Sequence, residues 1–414
     1  MTQSVVVQVG QCGNQVGCRF WDLALREHAH VNKRGLYDEA LGSFFRNVDT
    51  RKSDGGTCCV GDRIHHLKAR AVLVDMEEGV VNQILQGPLR EVFDSTQLLT
   101  DVSGSGNNWA AGYMTYGSAY RESIVDKLRK ASEHCDCLQC FFLIHSMGGG
   151  TGSGLGTRVL SLLEEEFPDV CRIVTSMYPS LDDDVITSPY NSVLAMRELT
   201  EHADCVLPVE NQSLMDIVNK INVMSHGGKP GSVVRSDSTI TSGRGGLSGA
   251  EKPFDAMNNI VANLLLNITR YEVKNVLQHP TYAIFAVVSV ETFQAESFGL
   301  SSFRLRPTLP FVSWNQEAWK TGLCSVPPVG HAHSLLALAN NTCVKPTFME
   351  LRERFTKLYK KKAHLHHYLH VDGMEQSVFD EAFSSLSSLI EEYHHLDATK
   401  ARLIPDAPRL CIAT

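Results

Sequence analysis

Short β-branched apolar runs alternate along the chain with stretches whose apolar residues recur every three or four positions. The runs 5–9, 69–74, 141–144, 172–177 and 205–209 predict strands. Stretches 124–131 and 157–167 predict helices, and in the second Val159, Leu160, Leu163 and Phe167 share one face. Strands alternating with helices imply an α/β fold whose parallel sheet is covered on both faces. The polar and glycine-rich residues then fall at one place in each repeat, just after the strand. These loops are Gly10-Gln11-Cys12-Gly13-Asn14-Gln15, Asp75-Met76-Glu77-Glu78-Gly79, Ser103 to Trp109, Gly148 to Gly154, Asp182-Asp183-Asp184 and Glu210-Asn211. In an open α/β sheet such loops converge on one crevice, where ligands bind.

Residues 225–252 are rich in Gly, Ser and Lys without periodicity and read as a surface insertion. A buried helix follows, on which Phe254, Met257, Ile260, Val261, Leu264 and Leu265 repeat at helical steps. Two more helices are predicted in the tail, over 348–365 and 375–396, each with an apolar stripe. This gives a parallel-sheet domain over 1–268 with insertion 225–252 and central helix 254–268, an atypical α+β segment over 269–346, and a helical region over 347–414.

Composition changes this picture little. The 43% hydrophobic and 20% charged content is that of a globular protein, and a net charge of −8 argues against duplex nucleic acid as the main partner. No apolar run approaches the roughly 20 residues that cross a bilayer, and the start lacks a basic region before its apolar stretch. The expectation is a cytoplasmic protein with its twelve cysteines reduced.

The turn Gly148-Gly149-Gly150-Thr151-Gly152-Ser153-Gly154 lies between a predicted strand and a predicted helix. Glycines let backbone N–H groups approach a phosphate, and the helix adds its positive end. Spacing excludes two common phosphate motifs. A Gly-x-Gly-x-x-Gly match fails at Ser153 and again at Leu155, which counts against a nucleotide-dependent oxidoreductase. A Walker loop needs Gly-Lys-Ser/Thr, and here Leu155 and Gly156 follow Gly154. Without a lysine, phosphate charge must be offset by main-chain amides, Thr151 and a metal ion.

The runs GGGTGSG, QCGNQ and SGSGNNWA resemble the tubulin family, as do FVSWNQEAWKTGLCSVPP and YKKKAHLHHYL near the end. The outer helices favour the eukaryotic branch, and the insertion, HCDCLQCFF and the lack of a Glu-rich tail favour its epsilon class. The resemblance implies GTP or GDP with Mg²⁺. Gln11, Cys12 and Gln15 would line the pocket, and Glu77 with Asp75 would orient waters on the metal. Gly104, Ser105, Gly106 and Asn107 would face the terminal phosphate. Ser146, Gly148, Gly149, Gly150, Thr151, Gly152 and Ser153 would surround the phosphate chain. Asp184 would lie by the ribose, Asn211 and Asn258 would read the guanine edge, and Phe254 would stack on the base. Ser188 stands where alpha- and beta-tubulins have a glutamate near the ribose. The class implies alpha-, beta- and delta-tubulin partners and a cytoskeletal location at centrosomal centrioles, their microtubules and basal bodies.

The resemblance stops after Asn267. Segment 271–310 lacks the family's N-x-D-L and N-x-V-P-x-P motifs, holds at most one strand near 284–290, and is too short for the missing elements. It reads as a variant transcript or gene-model error, with a genuinely divergent intermediate domain as the alternative. Hydrolysis in this family needs a neighbouring subunit, and this chain lacks the activating loop it would offer one. Three other signals have bland readings: Cys135, Cys137 and Cys140 as buried thiols, His364 to His370 as a solvated helix end, and Lys360 to Lys362 as a solvated face.

Overall fold

The computed structural model describes residues 2–49, 51, 56, 58–180, 185–225, 253–269, 284–290, 319–324, 328–331 and 333–400. Its centre is a six-stranded sheet of β1 (Gln3–Val9), β4 (Ala71–Asp75), β5 (Leu98–Thr100), β6 (Leu138–Ser146), β7 (Cys171–Tyr178) and β8 (Cys205–Glu210). The order is β5-β4-β1-β6-β7-β8, and every pair is parallel. The chain winds outward from β1 in one direction through β4 and β5, then in the other through β6, β7 and β8. The switch point of this doubly wound α/β sheet therefore lies between β1 and β6.

All seven residues of β1 are buried, as a strand covered on both faces requires. Val5, Val7 and Val9 face one core with Phe141, Leu143 and Val174. Val6 faces the other, with Leu73, Phe142, Ile144 and Ile173. The first, or outer, core is closed by helices Arg121–Glu133, Gly156–Glu166 and Ser188–His202 and by the outer helices Lys345–Lys360, Leu365–Leu369 and Gln376–Lys400. The second, or inner, core is closed by helix Gly10–Val31 and the central helix Pro253–Thr269, which pack together; Arg19 Nε donates to Asn259 Oδ1 at 3.2 Å.

Tyr190 seats the outer helices. Its ring meets Phe355, Tyr368 and Phe379 edge-on, with centroids 5.4, 5.6 and 5.4 Å away. Burying one such ring stabilises by about 1.5–3 kcal/mol, and edge-to-face pairing adds to that.

Two elements differ from the sequence expectation. The run 69–74 is not one strand: β3 (His66–Ala69) pairs antiparallel with β2 (Phe45–Val48), and β4 starts after Arg70. Buried Arg70 turns out of the run because its guanidinium donates to the carbonyls of Gly42 and His134. The helix expected over 348–365 stops at Lys360, and Lys362 and His364 take left-handed φ of 52° and 56°. The expected strand near 284–290 is present. β9 (Ile284–Val290) lies between β10 (Trp319–Cys324), parallel to it, and β11 (His333–Ala339), antiparallel to it. Leu336 and Leu338 of β11 rest on the inner core. Among the described residues no helix is long and apolar enough to cross a membrane.

Candidate nucleotide-binding site

Three glycine-bearing loops meet backbone to backbone at the switch point. Gly10, just past β1, has a φ of +75°, and a Cβ there would lie 3.1 Å from the Gly152 amide nitrogen. The loop after β1 therefore touches the loop after β6 with no room for a side chain, in a conformation that glycine adopts without strain. A Cβ on Gly150 would lie 2.4 Å from the Asn108 nitrogen, and one on Gly154 would lie 2.2 Å from the Trp109 oxygen. Glycine is thus required at these positions by packing, whatever the loop binds. Gly149 differs, because its nearest neighbour would be Asn107 Oδ1 at 3.6 Å.

The helices leaving these loops begin uncapped. Helix Gly10–Val31 has no side-chain cap and no acidic residue in its first turn. The same holds for the wide turn Thr151–Leu155 and the helix Gly156–Glu166 that continues it. The first N–H groups of a helix have no partner within it and carry its positive end. Two such ends flank the switch point, an arrangement suited to an anion.

Sequence reasoning missed the residue that ties the loops together. Asn191, fully buried in helix Ser188–His202, donates to the carbonyls of Asn107 and Gly148, both at 2.8 Å. Its Oδ1 accepts from the Trp109 N–H at 2.9 Å and the Tyr368 hydroxyl at 2.6 Å. One amide thus uses both donors and both acceptor positions. An Asn inside the apolar stretch Tyr190 to Ala195 was the available signal, since a buried amide needs partners. Further links are Thr187 Oγ1 to the Asn107 carbonyl at 3.2 Å, Tyr116 OH to the Gly104 carbonyl at 2.8 Å, and Ser105 Oγ with Thr151 Oγ1 at 2.8 Å.

The residues expected from sequence sit as follows. Gly148, Gly150, Gly152 and Ser153 are buried; Gly149 and Thr151 are half-buried. Ser153 Oγ donates to the Gly149 carbonyl, and Ser146 Oγ lies 2.4 Å from where a Cβ on Gly152 would be. Gly104, Ser105, Gly106 and Asn107 form the neighbouring loop, with Gly104, Gly106 and Asn107 all at positive φ. Gln11 is exposed and Gln15 half-buried on the first turns of their helix. Burial pushes the Cys12 thiol up to about 12, which makes it an inert wall.

Asp75 ends β4 buried, with Oδ1 accepting from the Glu77 N–H at 3.3 Å and Oδ2 lacking a protein partner. Burial raises its carboxyl to about 6. Glu77 is exposed, and its Oε1 lies 2.7 Å from where a Cβ on Gly104 would be. Asn211 opens the helix after β8, which packs on the central helix; there Asn258 is half-buried and Phe254 is exposed. Ser188 is buried, and its hydroxyl has no protein partner. Asp184 lies outside the described residues. Among the described residues no cluster of three or more His, Cys, Asp or Glu is arranged to hold a metal.

Known proteins match this sequence. Residues 3–219 match the model described as the Tubulin/FtsZ family, GTPase domain, and residues 288–353 match the Tubulin C-terminal domain. The second match begins inside 271–310, so part of that segment, including the end of β9, is related to the family after all. The chain is 59% identical to the tubulin epsilon chain of Mus musculus over 475 aligned residues, covering 100% of both chains, and equally to that of Homo sapiens. It is 33% identical to the tubulin beta-2 chain of Suillus bovinus over 440 residues, covering 95% of this chain and 96% of that one. The alignment with the epsilon chains is longer than the 414 residues here, so those relatives carry residues opposite gaps in this chain. The chain belongs to the tubulin family and carries its GTP-binding domain.

Proposed function

We propose that the crevice between β1 and β6 holds GTP or GDP as Mg²⁺ complexes, and that the chain acts in organising microtubules at centrioles and basal bodies alongside other tubulins. The observation that carries the nucleotide reading is the meeting of Gly10, Asn107 and Gly148–Gly154 at the switch point, beside two uncapped helix ends. Main-chain amides of Gly148, Gly149, Gly150, Thr151, Gly152 and Ser153 would hold the phosphates, with Ser146 beneath them. Gly104, Ser105, Gly106 and Asn107 would close over the terminal phosphate. Gln11, Cys12 and Gln15 would line the wall beneath, and Asp184 would reach the ribose. Asn211 and Asn258 offer a donor and an acceptor each to a purine edge, and the exposed Phe254 ring is free to stack on the base.

The donor set fits a magnesium ion held through water. Asp75 presents an oxygen with no protein partner and resists ionisation in its burial, so a nearby cation would favour its charged form. Glu77 adds a second carboxylate beside Gly104. The metal, when bound, would neutralise phosphate charge that no lysine meets.

The test is direct. Purified chain is denatured and the released nucleotide identified. About one guanine nucleotide per chain is expected; a folded protein releasing none, or taking up ATP as readily, would remove the reading. A second reading concerns assembly. The relatives' extra residues and the missing N-x-D-L and N-x-V-P-x-P motifs in 271–310 favour a shortened product that binds nucleotide without polymerising. Sedimentation with GTP and other tubulins decides it, since polymer containing this chain would exclude that reading.

A further inference from the structure

At the opposite end of the sheet, the amino-terminal ends of β6, β7 and β8 carry Cys140, Cys171 and Cys205, all free and all facing the inner core. Cys140 and Cys171 are direct partners in the β6–β7 register. Neighbouring strands lie about 4.8 Å apart, inside the range of about 4.4–6.8 Å that a disulfide requires between Cα atoms. A cavity of about 1130 Å³ opens beside them, lined by Cys171, Cys205, Leu207, Leu264, Phe348 and Tyr393 among others. Cys171 faces it half-buried, while Cys140 is buried behind.

We propose that Cys140 and Cys171 form a peroxide-responsive dithiol, in which Cys171 meets the oxidant through the cavity and Cys140 closes the disulfide. The Cys171 thiolate attacks one oxygen of hydrogen peroxide, giving a sulfenic acid and hydroxide. The Cys140 thiol then attacks the Cys171 sulfur, forming the S–S bond and releasing water. Peroxide takes the two electrons that the two thiols lose.

Small buried thiols are common as inert filler, and Cys205 fits that description, since burial pushes its thiol up to about 11. Cys171 departs from it. The hydrogen bond from the Cys140 thiol, itself pushed up by burial, lowers the Cys171 pKa first, and the Arg172 guanidinium lowers it further, against burial and the Asp204 charge. A lowered, reachable thiol next to a resolving one is the arrangement that oxidises selectively. The in-register crosslink joins strands that are already neighbours, so it forms without rearranging the sheet.

The full chain, reduced and then given substoichiometric hydrogen peroxide, is alkylated, digested and mapped by mass spectrometry. The Cys140–Cys171 peptide pair, lighter by two hydrogens, is expected as the first intramolecular link. Cys171 should be consumed at least roughly five-fold faster than the exposed Cys137. Cys140→Ser, or Cys140→Ala should the hydroxyl perturb the core, should abolish the link and leave Cys171 trapped by dimedone as sulfenic acid. Cys205→Ser should leave the link intact. A link from Cys171 to Cys205, or loss of Cys137 ahead of Cys171 in wild type, overturns the proposal.

Discussion

The two faces of the six-stranded sheet are built from alternate residues of the same strands, yet they treat polar groups differently. On the outer face, Asn191 satisfies both its donors and its acceptor, Trp109 Nε1 donates to Thr157 Oγ1, and Ser192 Oγ donates to the Met147 carbonyl. Ser188 is an exception there. On the inner face, Gln8 Nε2 and Oε1, Asn14 Oδ1, Trp21 Nε1 and Thr175 Oγ1 are buried without protein partners. A satisfied buried network fixes one geometry, whereas an unpartnered group costs its desolvation. The outer face is therefore the one that positions the loops. Through Tyr368 it ties the outer helices to the loops of the candidate site, although they are distant in sequence.

Breaking the outer network should have the largest effect. Asn191→Ala strands the Trp109 N–H and the Gly148 carbonyl in a buried place and leaves the Asn107 carbonyl to Thr187 Oγ1 alone. A stability loss of about 3 kcal/mol is expected, together with a fall in guanine nucleotide affinity of at least roughly ten-fold. Urea unfolding and nucleotide titration measure the two. Tyr368→Phe, which removes the bond to Asn191 Oδ1 and the long one to the Thr187 carbonyl, should show the same pattern at smaller size. A loss under about 1 kcal/mol for Asn191→Ala would mean that the face does not hold the loops.

That network shows where the sequence was legible and where it was not. The strands β1, β4, β6, β7 and β8 and the helices expected over 124–131 and 157–167 follow from periodicity, because each repeats a local pattern, whereas β2, β3 and β5 are too short to show one. The Gly148–Gly154 turn follows from its place between a strand and a helix. Arg70 and Asn191 did not stand out, since their roles depend on carbonyls tens of residues away. The early end at Lys360 was hidden because Leu358 and Leu365, at i and i+7, keep the helical spacing going past it. The glycines carried two meanings that spacing cannot separate. Gly150 and Gly154 are fixed by neighbouring backbone, whereas Gly149 is free of it.

The inner face should respond with the opposite sign. Gln8 is fully buried with both amide atoms unpartnered, and a Cβ on Gly17 would lie 2.2 Å from its side chain. Replacing an unpartnered buried amide by an apolar group of similar shape removes a desolvation penalty. Gln8→Leu is expected to leave stability unchanged or raise it by about 1 kcal/mol, as read from the urea midpoint. A loss comparable to that of Asn191→Ala would show that Gln8 is satisfied after all, and the contrast between the faces would fail.

The smallest effect tests whether outer-face pairing extends to charge. At the end of helix Ser188–His202, His202 Nδ1 lies 2.6 Å from Glu164 Oε2 and its Nε2 lies 3.4 Å from Glu198 Oε2. Glu198 is buried and also accepts from the Tyr113 hydroxyl at 2.8 Å. The hydrogen bond to Glu198 and then that to Glu164 raise the imidazole to about 9, against the effect of burial. Its unfolded value is near 6.5. A group raised on folding binds its proton more tightly in the native state, so its stabilising contribution is complete below about pH 6.5 and disappears as pH rises through about 9. The wild-type urea midpoint should therefore fall between pH 6.5 and 9.5 relative to His202→Gln, which carries no titrating ring. Because Glu164 is 40% exposed, water and salt screen much of this attraction and the difference should be small. Parallel pH profiles for the two proteins would show that the imidazole is not held charged, and that outer-face order stops at hydrogen bonds between neutral groups.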